Sequence, residues 1–459
     1  MFDYFPSFKL MNTDISKYIL GHRSPLLWRG VGGEVQENVP INNGYWYNSS
    51  NGSLLVFFIF FLVIFSACKK EITPPTPGTI AGPMNICPGD SGIIYSINPV
   101  EGSSFYLWTV PDDAKIISGQ GTTSILIKFG KTSGSVCVRS NNNKLYSEAS
   151  CLQVAQGGVS NHWCREMNFK GGGRYEAVGF SIDNKGYIGT GHDNLAVNYN
   201  DFWEYDPVLN TWTQKANFGG VARFDAVGFA IGNKGYIGTG YTGTASFKDF
   251  WEYEPLSNQW QQKADCGDTV RAFAFGFSIG NKGYIGSGQD GLFSTRKDFL
   301  EYNPATDQWV KKAIIVKRNG GAAFSIGNKG YLATGFDGGF YHNDVWEYDP
   351  DDTSNGFDEN NNPKGVWIPK APFPGAARYA AIAFTIGDKG YVGTGNDGSH
   401  YFKDFFEFDP VTNSWLQKAD FDGAGREFAS GFAIQKNGYI GIGNTENAVS
   451  FSDFWVYGQ

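Results

Sequence analysis

Six arginines stand at matched places in the second part of this chain: Arg174, Arg223, Arg271, Arg318, Arg378 and Arg426. Each is followed at near-constant distance by an aspartate: Asp201, Asp249, Asp298, Asp344, Asp404 and Asp453. A guanidinium is a planar fork of donors that grips a carboxylate through two parallel hydrogen bonds. Two outcomes follow. A ring of such forks at a concave mouth would bind a carboxylate-bearing ligand, and the six arginines are candidate ligand-binding residues on that ground. The other outcome is that each arginine pairs with its own aspartate and is structural.

Other chemistry is weakly signalled. The chain has five histidines, and His192, His342 and His400 stand at unequal distances from their neighbouring aspartates. None of the six cysteines shows CxxC or Cys/His spacing, so no metal site is expected. Glu176, Asp225 and Glu427 fall near the arginines and read as ordinary surface carboxylates. An insertion around Asp349–Asn360 is rich in oxygen ligands, but it lacks the terminal Glu of a calcium loop and reads as an extended polar loop. No catalytic residue and no cofactor is expected.

The elements that hold the arginines repeat. KGYIGTG begins at Lys185 and Lys234, and variants begin at Lys282, Lys329, Lys389 and Lys436. Counted on the glycine before each tyrosine, the steps are 49, 48, 47, 60 and 48 residues. Each unit adds an acidic-aromatic strand such as Asp201–Tyr205, a Pro-containing turn, and a Trp-bearing strand such as Thr211–Lys215. With a first strand over Tyr175–Ile182 and a second over Lys185–Thr190, four strands fill each repeat, which is the signature of a propeller blade. Small residues (Ala177, Gly179) alternate with large ones (Phe180, Ile182) along the first strand. Phe and Ile of one blade are therefore expected to fill the space left by Ala and Gly of the next.

The paired glycines, aromatic third strand and downstream Trp resemble the kelch repeat, and the likeness runs over 160–459. The fold class it implies is all-β, a six-bladed kelch-type β-propeller. The last unit ends after its third strand, and His162–Phe169 matches a fourth strand, so it is expected to complete the last blade and cover its edge. Loops between the second and third strands (HDNLAVNYN, QDGLFSTRK, NDGSHYFK) differ among blades, as specificity loops do. Two enzymatic relatives of kelch proteins, galactose oxidase and the sialate epimerases, frame an alternative. No copper constellation matches the first, and no distinctive acid–base pair marks the second.

The N-terminal third is different. Leu54–Ala67 is apolar apart from Ser66, has the length of a signal-peptide core, and leads into Cys68 and two lysines. This resembles a bacterial lipobox, which implies cleavage before Cys68 and lipid attachment to its sulfur. Residues 1–67 are then leader and upstream sequence, and 68–78 a Pro-rich tether. Over 79–155, short alternating strands predict a small β-sandwich that precedes the propeller. Its Tyr106–Pro111 and Ser118–Thr122 segments resemble the PKD-like, immunoglobulin-type modules of Bacteroidota surface proteins, with Trp108 as the core aromatic. An envelope location permits disulfides among Cys87, Cys137 and Cys151, with at least one of these unpaired, and Cys164 and Cys266 read as buried thiols.

A formal net charge of −8 disfavours nucleic acid as a partner. The expectation is an outer-membrane lipoprotein that touches the membrane through its lipid alone. Its propeller is expected to bind a protein or glycan ligand without catalysis, the alternative being a carbohydrate-active enzyme that uses the arginine face.

Overall fold

The computed structural model describes residues 73–87, 90–156, 161–446 and 449–458. The described residues are all-β. The leader and Cys68 lie outside them.

The N-terminal part is a sandwich of two sheets. One orders β1(Asn85–Ile86), β7(Ser150–Gln156), β6(Gly134–Asn141) and β3(Phe105–Thr109). The other orders β2(Ser91–Ser96), β5(Ser124–Lys128) and β4(Lys115–Ser118). Trp108 is buried between them with Tyr95, Ile125, Ile127 and Val138. Gln120 explains its own motif: its amide accepts from Trp108 N and donates to Trp108 O, both at 2.9 Å, while Trp108 Nε1 donates to Thr122 O. The first and last strands, β1 and β7, escaped the pattern reading because neither alternates cleanly.

After β8(His162–Arg165) come six sheets. The first orders β9(Val178–Ile182), β10(Lys185–Gly189), β11(Phe202–Asp206) and β12(Thr211–Gln214), antiparallel throughout. The unit recurs as β13–β16 within 227–263, β17–β20 within 275–311, β21–β24 within 322–370 and β25–β28 within 382–417. The sixth has β29(Ser430–Ile434), β30(Asn437–Gly441) and β31(Phe454–Gly458). β8 lies along β31, with Asn161 N donating to Gly458 O and Glu166 N to Phe454 O, both at 2.8 Å. The expected fourth strand of the last sheet is therefore supplied from the N-terminal side.

Neighbouring sheets are joined in two ways. The glycine just beyond each second strand, the last of Gly-x-Gly in five units and of Ala-Thr-Gly in the fourth, has a positive φ, 77–101°, a conformation that favours glycine. There its N–H reaches the backbone carbonyl of the next arginine: Gly191 to Arg223, Gly240 to Arg271, Gly288 to Arg318, Gly335 to Arg378, Gly395 to Arg426, and Gly443 to Arg174. The second link is the fourth-strand Trp, whose Nε1 donates to a carbonyl of the preceding unit everywhere except at Trp367, as from Trp260 to Ala216 and from Trp163 to Ala419.

The packing differs in one respect from expectation. Phe180, Phe277 and Phe432 lie over Gly235, Gly330 and Gly186, the glycines of the second strands. The first-strand glycines are met instead by shorter side chains, such as Val178 over Gly228 and Ile382 over Gly431. The repeated KGY thus has a steric reason, since a Cβ at Gly438 would stand 2.2 Å from the Phe384 ring. Gly438→Ala is expected to cost about 1–3 kcal/mol through overpacking, measured by denaturant unfolding.

Candidate functional site

The six arginines are not at a solvent-lined mouth. Arg318 is 3% exposed and the other five are fully buried. Arg223 Nη1 and Nη2 reach Asp249 Oδ1 and Oδ2 at 2.5 and 2.9 Å. Arg174, Arg378 and Arg426 hold Asp201, Asp404 and Asp453 in the same way, while Arg271 pairs with Asp298 at 2.6 Å and Arg318 with Asp344. Four of the guanidiniums are also sandwiched between rings, as Arg378 is between Phe373 and Phe402 at 4.9 and 3.9 Å. The structure thus places the six arginines inside the blades, paired with their own aspartates, rather than in a ring open to a ligand. Four of the aspartates also accept from an indole Nε1, that of Trp203, Trp251, Trp346 or Trp455; sheets three and five carry Leu300 and Phe406 there. This Asp-x-Trp pairing was legible in the repeats and is what the acidic-aromatic strand is for. Arg378→Ala is expected to lower stability by about 3 kcal/mol, the low end for breaking a buried pair, because Asp404 keeps 24% exposure. Urea unfolding measures it.

What the arginines position is a turn. The first strands start at Val178 rather than Tyr175, because the residue two beyond each arginine is left-handed. Glu176, Asp225, Phe273, Gly320, Ala380 and Phe428 have φ of 50–57°. They are linked around the axis: Asp225 N donates to Glu176 O, Gly320 N to Phe273 O, Ala380 N to Gly320 O, Phe428 N to Ala380 O, and Glu176 N to Phe428 O. Five of these are not glycine, and left-handed backbone at such residues costs about 1–3 kcal/mol each and gathers at functional sites. The six surround a cavity of ≈ 130 Å³, floored by Ala177, Ala226, Ala274, Gly321, Ala381 and Ala429.

Three carboxyl groups converge here from sheets one, two and six. Asp225 is 7% exposed and lines the cavity, and its Oδ2 has no hydrogen-bond partner. Burial, reinforced by the charge of Glu176, holds its carboxyl well above the ordinary range. Glu176 also lines the cavity, with a side chain 8% exposed. Its Oε2 stands 2.9 Å from His192 Nε2, out of line for a good hydrogen bond. Burial raises the Glu176 carboxyl despite that neighbour. His192 is wedged between Tyr175 and Phe224, ring centroids 4.1 Å away on each side. Glu427 is pushed up to about 7 by burial, with Glu176 adding repulsion and the Tyr379 and Asn444 side chains opposing through hydrogen bonds. These residues are the ones taken for surface carboxylates. Their burial comes from the left-handed turn, which no pattern along the strand reveals.

Loops rooted at this mouth are stiffer than their variety suggests. Asp193, Asp290, Asp337 and Asp397 each accept two backbone N–H groups of their own loop, as Asp337 Oδ1 does from Gly339 and Phe340 at 2.8 Å. The residues above them include exposed Leu195, Leu292, Phe293 and Phe340.

Two other expectations resolve elsewhere. In the insertion, Lys312 Nζ donates to Asp358 Oδ2 at 2.6 Å and to Pro363 O at 3.1 Å, so a lysine supplies the positive charge within that loop. Cysteines pair as Cys137–Cys151 and Cys87–Cys164. This corrects the reading of Cys164 as a thiol and of one unpaired sandwich cysteine, because Cys164 on β8 lies beside Cys87 only in space. Cys87, His162 and Cys164 are clustered closely enough for a metal, but both sulfurs are in the disulfide. Cys266 is free and buried, and burial pushes its thiol up to about 12. It occupies the place that Phe218 fills beneath Arg223, under Arg271 instead.

Comparison with known proteins adds two findings. Residues 73–154 match the model of the PKD-like domain. No curated protein matches the chain. Among 451 matching chains of solved structures is one titled "Structure of YjhT". It is 17% identical, with a TM-score of 0.53, over 62% of this chain and 95% of that one. At that identity the likeness shows a propeller-like fold, and a fold shared so widely does not name a function.

The cluster has a measurable consequence. A carboxyl whose folded pKa is raised contributes stability that is full below its ordinary value and is lost as pH rises through the folded value. For Glu427 the loss runs from the ordinary carboxylate range up to about 7. Glu427→Gln is expected to remove that fall and to be the more stable protein at pH 8, by on the order of 3 kcal/mol. Thermal unfolding from pH 4 to 8 checks both.

Proposed function

We propose that the chain is an exported, lipid-anchored envelope protein whose propeller, a six-bladed ring of kelch type, binds a protein or glycan ligand at its axial mouth. The observation that carries the reading is Asp225, a buried residue on the wall of the axial cavity whose carboxyl keeps one oxygen without a hydrogen-bond partner. An unsatisfied buried carboxyl costs stability and is kept where a ligand answers it. Sequence-diverse loops with exposed apolar tips around that mouth support a recognition face. The two disulfides support an oxidising compartment, and the lipobox-like sequence ending at Cys68 supports a lipid anchor on the outer membrane. The PKD-like module then serves as a spacer.

A second reading is a carbohydrate-active enzyme. It is favoured by Glu427, poised near neutrality beside Tyr379, and by the Glu176–His192 contact, which together hold an acid and a base at one mouth.

The test is a screen of glycans and cell-surface polymers against the whole chain and Asp225→Asn. Saturable binding weakened at least about tenfold, or about 1.4 kcal/mol, in the variant is expected. Equal binding by both proteins moves recognition off the mouth, and turnover of the bound sugar promotes the second reading. For the anchor, Cys68→Ser is expected to abolish palmitate labelling and to release the protein from membranes.

A further inference from the structure

We propose that the axial mouth recognises its ligand through a positively charged nitrogen head, an ammonium or guanidinium group, seated against Asp225 and Glu176. This rests on the reading that the mouth is the ligand site, and it names the chemistry that site accepts.

The argument begins with what surrounds the two carboxyls. Both line the cavity, both are more than nine-tenths buried as side chains, and Asp225 Oδ2 is unpartnered. Among the described residues, the groups acting on the cluster include Glu176, Asp225, Glu427, Asp193, His192, Tyr175, Tyr379, Tyr401 and Asn444. His192 is the one basic side chain among them, and it serves Glu176. Neither Asp225 nor Glu427 has a cation. The nearest arginines, Arg174 and Arg223, are committed to Asp201 and Asp249. Among the described residues, therefore, no side chain offers Asp225 a positive charge to pair with when it ionises.

The surroundings agree. Asp193 beside His192 is held below the ordinary carboxylate range, because hydrogen bonds from Val197, Tyr199 and Leu195 outweigh burial. Arg296, His342 and His400 stand against the other loop aspartates, Asp290, Asp337 and Asp397. Around the first sheet the mouth stays acidic. A volume of ≈ 130 Å³ admits a nitrogen head with a short alkyl stem. Exposed Leu195, Leu292, Phe293 and Phe340 offer apolar cover to a longer stem.

Binding is then linked to a proton. In the empty site burial favours the neutral carboxyl. When a cation seats, the carboxyl ionises, its proton leaves to the buffer, and the charged nitrogen stays protonated. Affinity for a cation must rise with pH. A neutral hydroxyl ligand, accepting from the protonated carboxyl, would show the opposite slope.

The experiment is calorimetric titration of the complete chain with n-butylammonium, with 1-butanol as the neutral match, at pH 6 and pH 8. Butylammonium is expected to bind about tenfold more tightly at pH 8 than at pH 6, with proton release seen as different heats in Tris and phosphate. Asp225→Asn is expected to lose at least about tenfold in affinity while unfolding at or above the native temperature at pH 8. Asp388→Asn, on a distant hairpin with a side chain 75% exposed, is expected to bind as the native protein does. Glucosamine and an acetylated lysine amide then distinguish an aminosugar source of the cation from a polypeptide source. Butylammonium binding no tighter than butanol, or weakening as pH rises, overturns the proposal. If neutral glycans bind and Asp225→Asn weakens them, the mouth remains the site and the cation inference alone fails. If Asp225→Asn leaves every ligand unaffected, the site reading fails with it.

Discussion

The structure depends on a guanidinium buried where it touches two units at once. Each arginine side chain is neutralised by an aspartate of its own blade, and its backbone carbonyl receives the glycine N–H of the blade before. A buried charge is tolerable when it is paired. The aspartate supplies that pairing in every unit, a Trp reinforces it in four of them, and aromatic rings flank the guanidinium in four. One residue type thereby sets the depth of the inner strand and the spacing between blades, and it starts the left-handed turn at the axis.

That turn separates scaffold from site. Outward from it most contacts recur: glycine under phenylalanine, tryptophan to carbonyl in all units but that of Trp367, and tyrosine to glutamate in the first five, as from Tyr187 to Glu204 and from Tyr236 to Glu252. At the turn itself the repeat breaks. The six positions carry Glu, Asp, Phe, Gly, Ala and Phe. A rigid ring can hold different side chains at equivalent places at no cost to its geometry, and those differences are what a ligand can read.

The acidic mouth also explains why a propeller with so many paired charges keeps a few unpaired. Carboxyls crowded in a small cavity repel one another and resist ionisation. The scaffold that holds them together is joined from sheet to sheet by backbone hydrogen bonds. The protonation of these carboxyls is thus coupled to pH through burial.

Much of the fold was legible along the chain. Period-two alternation, the 47–49-residue spacing, Trp108 in the sandwich and the strand at His162–Arg165 all follow from local chemistry that repeats. The arginines were legible as a set, but their role was not, because a strand pattern says nothing of how far a residue lies from water. Glu176, Asp225 and Glu427 are 49 and 202 residues apart in sequence, and each alone looks like an ordinary surface acid. Their burial and the repulsion of Asp225 and Glu427 by Glu176 exist only once sheets one, two and six meet at the axis. The Cys87–Cys164 bond is of the same kind, since sulfur pairing depends on distance in space. Sequence determined the repeating hydrogen-bond and packing units. Tertiary structure decided which charges are hidden and which face one another, because solvation and Coulomb energy depend on the three-dimensional surroundings of a group rather than on its neighbours along the chain.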